Sequence, residues 1–335
     1  MKVRASTLDD LLNEVFRRLI SSGRETSPRK GKALEFTGAV FELTNPRARM
    51  SRTETRARLF SWLGELLWYL AGSDELSFVR YYIENYKPDY PGAKRVRAAY
   101  GPRIRSEKKH QLRWIVQLIR ENSDTRRAVI PIYHPKDTYT NLPEVPCTCT
   151  LQFLLRGSRL ELVTHMRSND AYKGLPGDIF AFTMIQEIVA RALGVELGRY
   201  KHLVGSLHLY VEDRRNAERY LAEGWQRKIT MPIMPLGDPF PQIERLVRFE
   251  RATRLGTHAK IPSDLPEYWQ DLARLLAIFR AEKEQKPAAE IRKMRERIHS
   301  DAYAPYIEMR RRKAEKFEPV ATQSDELPFD EEAHA

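Results

Sequence analysis

The chain reads Glu144-Val145-Pro146-Cys147-Thr148-Cys149-Thr150-Leu151-Gln152-Phe153, then His165-Met166-Arg167-Ser168-Asn169-Asp170, then Gly174-Leu175-Pro176-Gly177-Asp178-Ile179. The first two segments read as strands and the third as the start of a helix. Between Cys147 and Asp178 they assemble a thiol, a guanidinium, a hydroxyl and carboxylates. That inventory suits covalent chemistry on an anionic substrate: a thiolate attacks, an arginine and a serine hold a phosphate, and carboxylates orient a heterocycle.

Working outward, Gly64-Glu65-Leu66-Leu67-Trp68-Tyr69-Leu70, Tyr100-Gly101 and Arg126-Arg127 lie upstream, and His202-Leu203-Val204-Gly205-Ser206-Leu207-His208-Leu209-Tyr210 lies downstream. In this order the motifs resemble the thymidylate synthase family. That family has a Pro-Cys-His nucleophile motif, a Gln-Arg-Ser-x-Asp motif, a Glu-Leu-Leu-Trp helix and a His-x-x-Gly-Asp-x-His-x-Tyr strand. The resemblance runs from about residue 20 to about residue 235.

Composition sets the outer bounds. With 335 residues, 42% of them apolar, the chain can fill a sizeable core. No apolar run reaches the length of a membrane span, and Met1-Lys2-Val3-Arg4-Ala5-Ser6 lacks a signal-peptide core. The two cysteines are two apart on an expected strand, a spacing that strains a local disulfide. These features predict a cytoplasmic protein. The net charge of +12 is spread over mixed-charge stretches, so an anionic nucleotide is a better match than nucleic acid.

Periodicity predicts a helix over 7–22 capped by Thr7, a strand over 34–43, an apolar helix over 57–71 that carries Glu65, and a helix over 110–120. It also predicts β-rich runs over 127–133, 148–155 and 160–165, a largely apolar helix over 177–193, and a strand over 207–211. The expected fold is α+β, with a large mixed sheet packed against helices as in thymidylate synthases. Residues 1–260 form the expected catalytic domain. Charged helical patterns over 265–284 and 288–316, split at Pro287 and broken at Pro305, make 261–316 a helical extension, and 317–335 an acidic, disordered tail.

The resemblance implies roles. Cys147 attacks C6 of a pyrimidine and so makes C5 nucleophilic. Arg167 supplies a field that favours the thiolate near neutral pH. Arg126, Arg127, Arg167 and Ser168 clamp a phosphate, with Arg29 a further candidate. In the family the equivalent of Arg126-Arg127 crosses a dimer interface, which implies an obligate homodimer. His208 and Tyr210 hold a sugar hydroxyl, Tyr100 assists proton transfer near C5, and Glu65 orders water. Asp170, with Tyr86 or Tyr90, contacts the co-substrate 5,10-methylenetetrahydrofolate; no metal is expected.

Asp178 departs from the asparagine of the synthases, whose amide matches the N3–H and O4 of uracil. A carboxylate accepts from the amino group of cytosine, and a protonated one completes both bonds; the family's deoxycytidylate hydroxymethylases carry aspartate here. Asp178 read only as a helix cap is the structural alternative. Thr148, Gly177 and Ser206 replace the family's histidine, phenylalanine and aspartate, and the apolar peptide that closes over synthase sites is not visible. The expectation is therefore hydroxymethylation at C5 of CMP or dCMP, feeding modified DNA or a nucleoside antibiotic. The alternatives are methylation of dUMP or a non-catalytic nucleotide-binding scaffold.

Overall fold

A computed structural model describes residues 1–56, 58–87, 90–105, 110–139, 144–257 and 259–308. The chain opens with a short strand, β1 (Lys2–Ala5), and helix α1 (Leu8–Ser22). Thr7 caps that helix by accepting the Asp10 backbone N–H at 3.0 Å. Leu8, Leu11, Leu12, Val15, Phe16 and Leu19 recur at helical spacing, and all are buried. Next come β2 (Arg24–Thr26), β3 (Ala33–Leu43), α2 (Leu59–Leu70), α3 (Leu76–Tyr82), α4 (Gly101–Ile104), α5 (Gln111–Glu121), β4 (Val129–Pro131) and α6 (Pro135–Thr138). The centre of the fold is β5 (Thr148–Arg156), β6 (Arg159–Asp170), α7 (Leu175–Leu193) and β7 (Glu196–Tyr210). Helices α8 (Arg214–Ala222), α9 (Phe240–Arg254), α10 (Glu267–Lys283) and α11 (Ala288–Arg295) follow.

The seven strands form one mixed sheet in the order β1-β3-β7-β6-β5-β4, with β2 also paired to β3. β1 with β3 and β6 with β7 are parallel, and the remaining pairs are antiparallel. The fold is thus α+β, as expected. Helix α7, buried along nearly its whole length, lies on β6 and β7 and ends at Gly194 in the left-handed region (φ 73°).

Partway along the sheet the inward face switches. β6 buries Leu160, Leu162, Thr164 and Met166, then Asn169; β7 buries Tyr200, His202 and Val204, then Leu207 and Leu209. The switch crosses the strands near Arg167, Gly205 and Gly38. A Cβ at Gly205 would come 2.8 Å from the Arg167 carbonyl oxygen, and Gly38 sits at φ 63°. In β5 the pairing register slips between Thr148 and Thr150. Beyond this row Ser168, Asp170, Ser206, His208 and Tyr210 are half-buried, while Asn169 turns into the interior. On the sheet face away from α7, Leu154, Val163 and Leu203 stay half-buried, Val40 is 37% exposed, and His165 is exposed.

Several boundaries differ from expectation. The strand expected at 207–211 begins at Glu196, and the run expected at 160–165 continues to Asp170. Helix α9 has no counterpart in the sequence reading, because its charged residues mask the buried stripe of Phe240, Ile243, Leu246 and Phe249. The helix expected over 288–316 stops at Arg295, and Pro305, expected as a break, lies within helical residues 304–308, where a first-turn proline is tolerated. Helix α10 packs on the rest of the structure: Phe279 stacks on Phe60 of α2 at 5.9 Å and on Tyr82 of α3 at 5.1 Å. The tail at 317–335 lies outside the described residues. Among those described, no helix is long and apolar enough to cross a membrane.

Candidate active site

Cys147 immediately precedes β5, and its loop is tied to β6 by Arg167. The Arg167 backbone N–H donates to the Cys147 carbonyl at 2.8 Å. Its guanidinium donates to the carbonyls of Pro146 and Val145 at 2.9 and 3.0 Å and lies 3.8 Å from the thiol sulfur. The sequence reading expected this cation to make the thiolate available at neutral pH. Burial, the larger influence, raises the thiol above its ordinary range, while Arg167 does pull it down, as expected of a nearby cation.

Tyr100 accepts the Thr148 backbone N–H at 3.3 Å, which places its ring over the start of β5. Burial, then the nearness of Asp178 and Cys147, raises its hydroxyl well above the usual range, so it stays a neutral donor. Glu65 sits in the apolar helix α2, where Tyr69, one turn on, donates to it at 2.8 Å. Burial raises its carboxyl. Gly177 is close to both Glu65 and Trp62: a Cβ there would meet the Trp62 ring at 3.1 Å and the Glu65 carboxyl at 3.6 Å. Trp62 thus occupies the space that a larger residue at 177 would need.

Asp178 lies in the first turn of α7, inside the helix rather than at its cap. Asn169 donates to its Oδ2 at 2.8 Å. Burial, then the Glu65 carboxyl, raises Asp178 well above the carboxylate range. Asn169 is itself held by the buried His202 at 3.1 Å, and His202 by the Tyr200 hydroxyl at 2.6 Å.

Ser168, Asp170, His208 and Tyr210 stand together beyond the face switch. Ser168 pairs with Ser206 and Asp170 with His208 across β6 and β7, and the His208 and Tyr210 rings meet edge to face at 4.9 Å. Asp170 Oδ1 accepts the backbone N–H groups of Tyr172 and Lys173, each at 2.8 Å; its second oxygen makes no hydrogen bond among the described residues. Ser206 donates to Glu35 of β3. Arg29 reaches Glu144 at 3.2 Å, and Lys30 reaches the same carboxylate at 3.0 Å, which brings both cations to the Cys147 loop.

The other expected residues lie farther out, Tyr86 near Tyr69 and the rest at the surface. The Tyr86 ring packs edge-on to Trp68 at 5.8 Å, and Tyr90 is 50% exposed beneath Arg97. Arg126 and Arg127, just before β4, are exposed, and their guanidinium groups make no hydrogen bond or ion pair among the described residues. Asn169, His202, Tyr200, Tyr69, Lys30 and Glu35 were given no role from sequence. Tyr200 and His202, two apart on a strand, were the available signal of a shared face. Among the described residues no cluster of His, Cys, Asp or Glu is placed to hold a metal ion.

The arrangement joins a thiol, a phenol hydroxyl, two carboxyls whose titration burial shifts upward, and cations at one edge. A family model described as thymidylate synthase matches residues 11–249. The chain is also 32% identical over 218 residues to a protein of Bacillus phage SP01 named deoxyuridylate hydroxymethyltransferase. That match covers 61% of this chain and 57% of the relative, so the chain spans little more than half of the relative's length.

Proposed function

The chain belongs to the thymidylate synthase family, and from that membership we propose that it transfers a one-carbon unit to C5 of a pyrimidine nucleoside 5′-monophosphate and leaves it as a hydroxymethyl group. The clustering of Cys147, Tyr100, Glu65 and Asp178, close enough for their charges to act on one another, carries this reading. The phage relative's name supports the hydroxymethyl outcome.

In the proposed mechanism the Cys147 sulfur bonds to C6 and its proton departs, leaving an enol-like or enamine-like C5. Tyr100 holds the proton inventory beside C5, and Glu65 orders water at the base. The co-substrate is methylenetetrahydrofolate, which supplies the methylene carbon. The residues present suit it: among the described residues Asp170 has an oxygen without a hydrogen bond, and the largely buried Trp62 lines the space beside Gly177. C5 would bond to that carbon and lose its hydrogen as a proton while both carbon–nitrogen bonds from the methylene to the folate break, so that tetrahydrofolate leaves and an exocyclic methylene remains on C5. Water then adds to the exocyclic methylene, and the sulfur leaves C6. Arg167 and Ser168, with Arg29, hold the phosphate in the same subunit, and His208 and Tyr210 hold the sugar.

We assign cytosine, as CMP or dCMP, as the preferred base because Asp178 replaces an amide. A uridine nucleotide is the rival substrate, favoured by the name of the phage relative. Tritium release from C5-labelled CMP, dCMP and dUMP, with and without the folate, separates them. Asp178→Asn should move the cytosine-to-uracil ratio of kcat/KM toward uracil by about tenfold or more, the size of a hydrogen-bond mismatch in a buried site. An unchanged ratio removes Asp178 as the base reader.

We also propose a homodimer joined through the sheet face that carries Leu154, Val163, Leu203 and Val40. Their partial exposure supports it, and it would deliver Arg126 and Arg127 to the neighbouring site.

A further inference from the structure

A neutral carboxyl has one donor and one acceptor, so it matches the edge of either cytosine or uracil unless something decides which oxygen holds the proton. Behind Asp178 runs a buried line of polar groups that can make that decision. Asn169 is 3% exposed and His202 is fully buried. Burial pushes His202 down to about 3, so its imidazole is neutral at any working pH and carries one N–H and one lone pair.

That single N–H makes the line directional. In one setting the Tyr200 hydroxyl donates to His202 Nδ1, Nε2–H donates to Asn169 Oδ1, and the Asn169 amide donates to Asp178 Oδ2. In the reverse setting every bond turns round: Asp178 Oδ2–H donates to Asn169, Asn169 donates to Nε2, and Nδ1–H donates to Tyr200. No mixture of the two satisfies a neutral imidazole. The observed amide orientation, with Asn169 Nδ2 at 2.8 Å from Asp178 Oδ2 and Oδ1 at 3.1 Å from Nε2, belongs to the first setting. There Oδ2 is an acceptor, and any proton on Asp178 sits on Oδ1.

We propose that Tyr200, His202 and Asn169 are a positioning relay that fixes which oxygen of Asp178 accepts and which donates, and so sets the choice between cytosine and uracil. This rests on the reading that Asp178 faces the base. It does not depend on which base is preferred. The relay touches no substrate; it acts through Asp178 alone. It also requires the face switch in the sheet, because only that switch sends Asn169 inward to the side where Tyr200 and His202 already lie.

The test compares kcat/KM for matched cytidine and uridine 5′-monophosphates, read as tritium release from C5 with the folate present. Damage to packing would lower both alike and leave their ratio intact. Asn169→Ala should move the ratio toward unity by about tenfold or more, the effect of one lost buried hydrogen bond on one base only. Tyr200→Phe keeps the ring and removes only the hydroxyl, so it should move the ratio in the same direction by a smaller factor; it decides the matter if Asn169→Ala does not fold. Asp178→Asn is run alongside. If it changes the ratio while Asn169→Ala or Tyr200→Phe leaves it within about twofold, the relay is overturned and the base-reading role of Asp178 stands. If Asp178→Asn leaves the ratio unchanged, the underlying reading fails, and the relay with it.

Discussion

In the interior of the cleft the polar groups hold one another: Tyr69 donates to Glu65, Thr148 N–H to Tyr100, Asn169 to Asp178, and Arg167 to the carbonyls beside Cys147. At the rim Arg29 rests on the half-buried Glu144, while Arg126 and Arg127 extend into solvent apart from this group and would join a rim only across the proposed dimer. The interior is organised before any ligand arrives, so a change there should alter chemistry or base choice. The rim is completed by what binds, so a change there should alter affinity. The largest effect expected from this contrast is at Cys147. Cys147→Ser should lower turnover by roughly 10³-fold or more, because a hydroxyl is a far weaker nucleophile at neutral pH. Nucleotide binding should persist, since the phosphate contacts are elsewhere. Adduct formation with a 5-fluorinated pyrimidine nucleotide and folate should vanish in this variant and survive in Cys149→Ser. An adduct carried by Cys149 would break the assignment of the interior.

The rim supplies the next effect. Arg127→Ala should raise KM by ~10-fold or more with kcat little changed, the loss of a charge-assisted hydrogen bond of about 1.5–3 kcal/mol. If the arginine serves the neighbouring site, mixing Cys147→Ala chains with Arg127→Ala chains should restore the wild-type KM in the exchanged heterodimers, because one of their two sites is intact. Exchanged heterodimers that keep the raised KM would place Arg127 on its own subunit's site, and an Arg127→Ala protein with unchanged KM would place it on no substrate at all.

How legible each region was in the sequence follows from the same physics. α1 and α7 were readable because apolar residues recur at helical spacing and a cap or glycine marks an end. Cys147, Arg167 and Asp178 were singled out because they stand in motifs that resemble the family's, Asp178 by departing from the pattern; their residue types alone did not mark them. The relay behind Asp178 was not. Strict alternation along β6 puts Asn169 on the face opposite Thr164 and Met166, away from His202, and only the slip near Arg167 and Gly205 brings them together. A slip of one residue is made by backbone geometry across several strands, and a single sequence does not display it. Gly177 was seen as a missing phenylalanine, whereas in the fold Trp62, from a distant helix, stands in that space.

The smallest effect tests whether the interior carries a cost in stability. Burial raises the Glu65 carboxyl, so the folded state holds that proton more tightly than the unfolded chain does. Stability from this group is full below its unfolded pKa of about 4.3 and declines as pH rises through the higher folded value. At neutral pH the wild-type protein therefore bears the cost of either burying a charge or keeping a proton the solvent would remove. Glu65→Gln keeps the shape and can still accept from Tyr69, but it has no charge to bury. It should raise stability by about 1 kcal/mol near pH 8, or ~2 °C in Tm, as expected when an active-site carboxyl is neutralised. The gain should shrink as pH falls and vanish near pH ~4, where the wild-type carboxyl is protonated in both states. Thermal melts of both proteins across that range decide it. A Tm difference independent of pH would mean that the substitution acts through packing against Trp62 and Gly177 rather than through the buried charge.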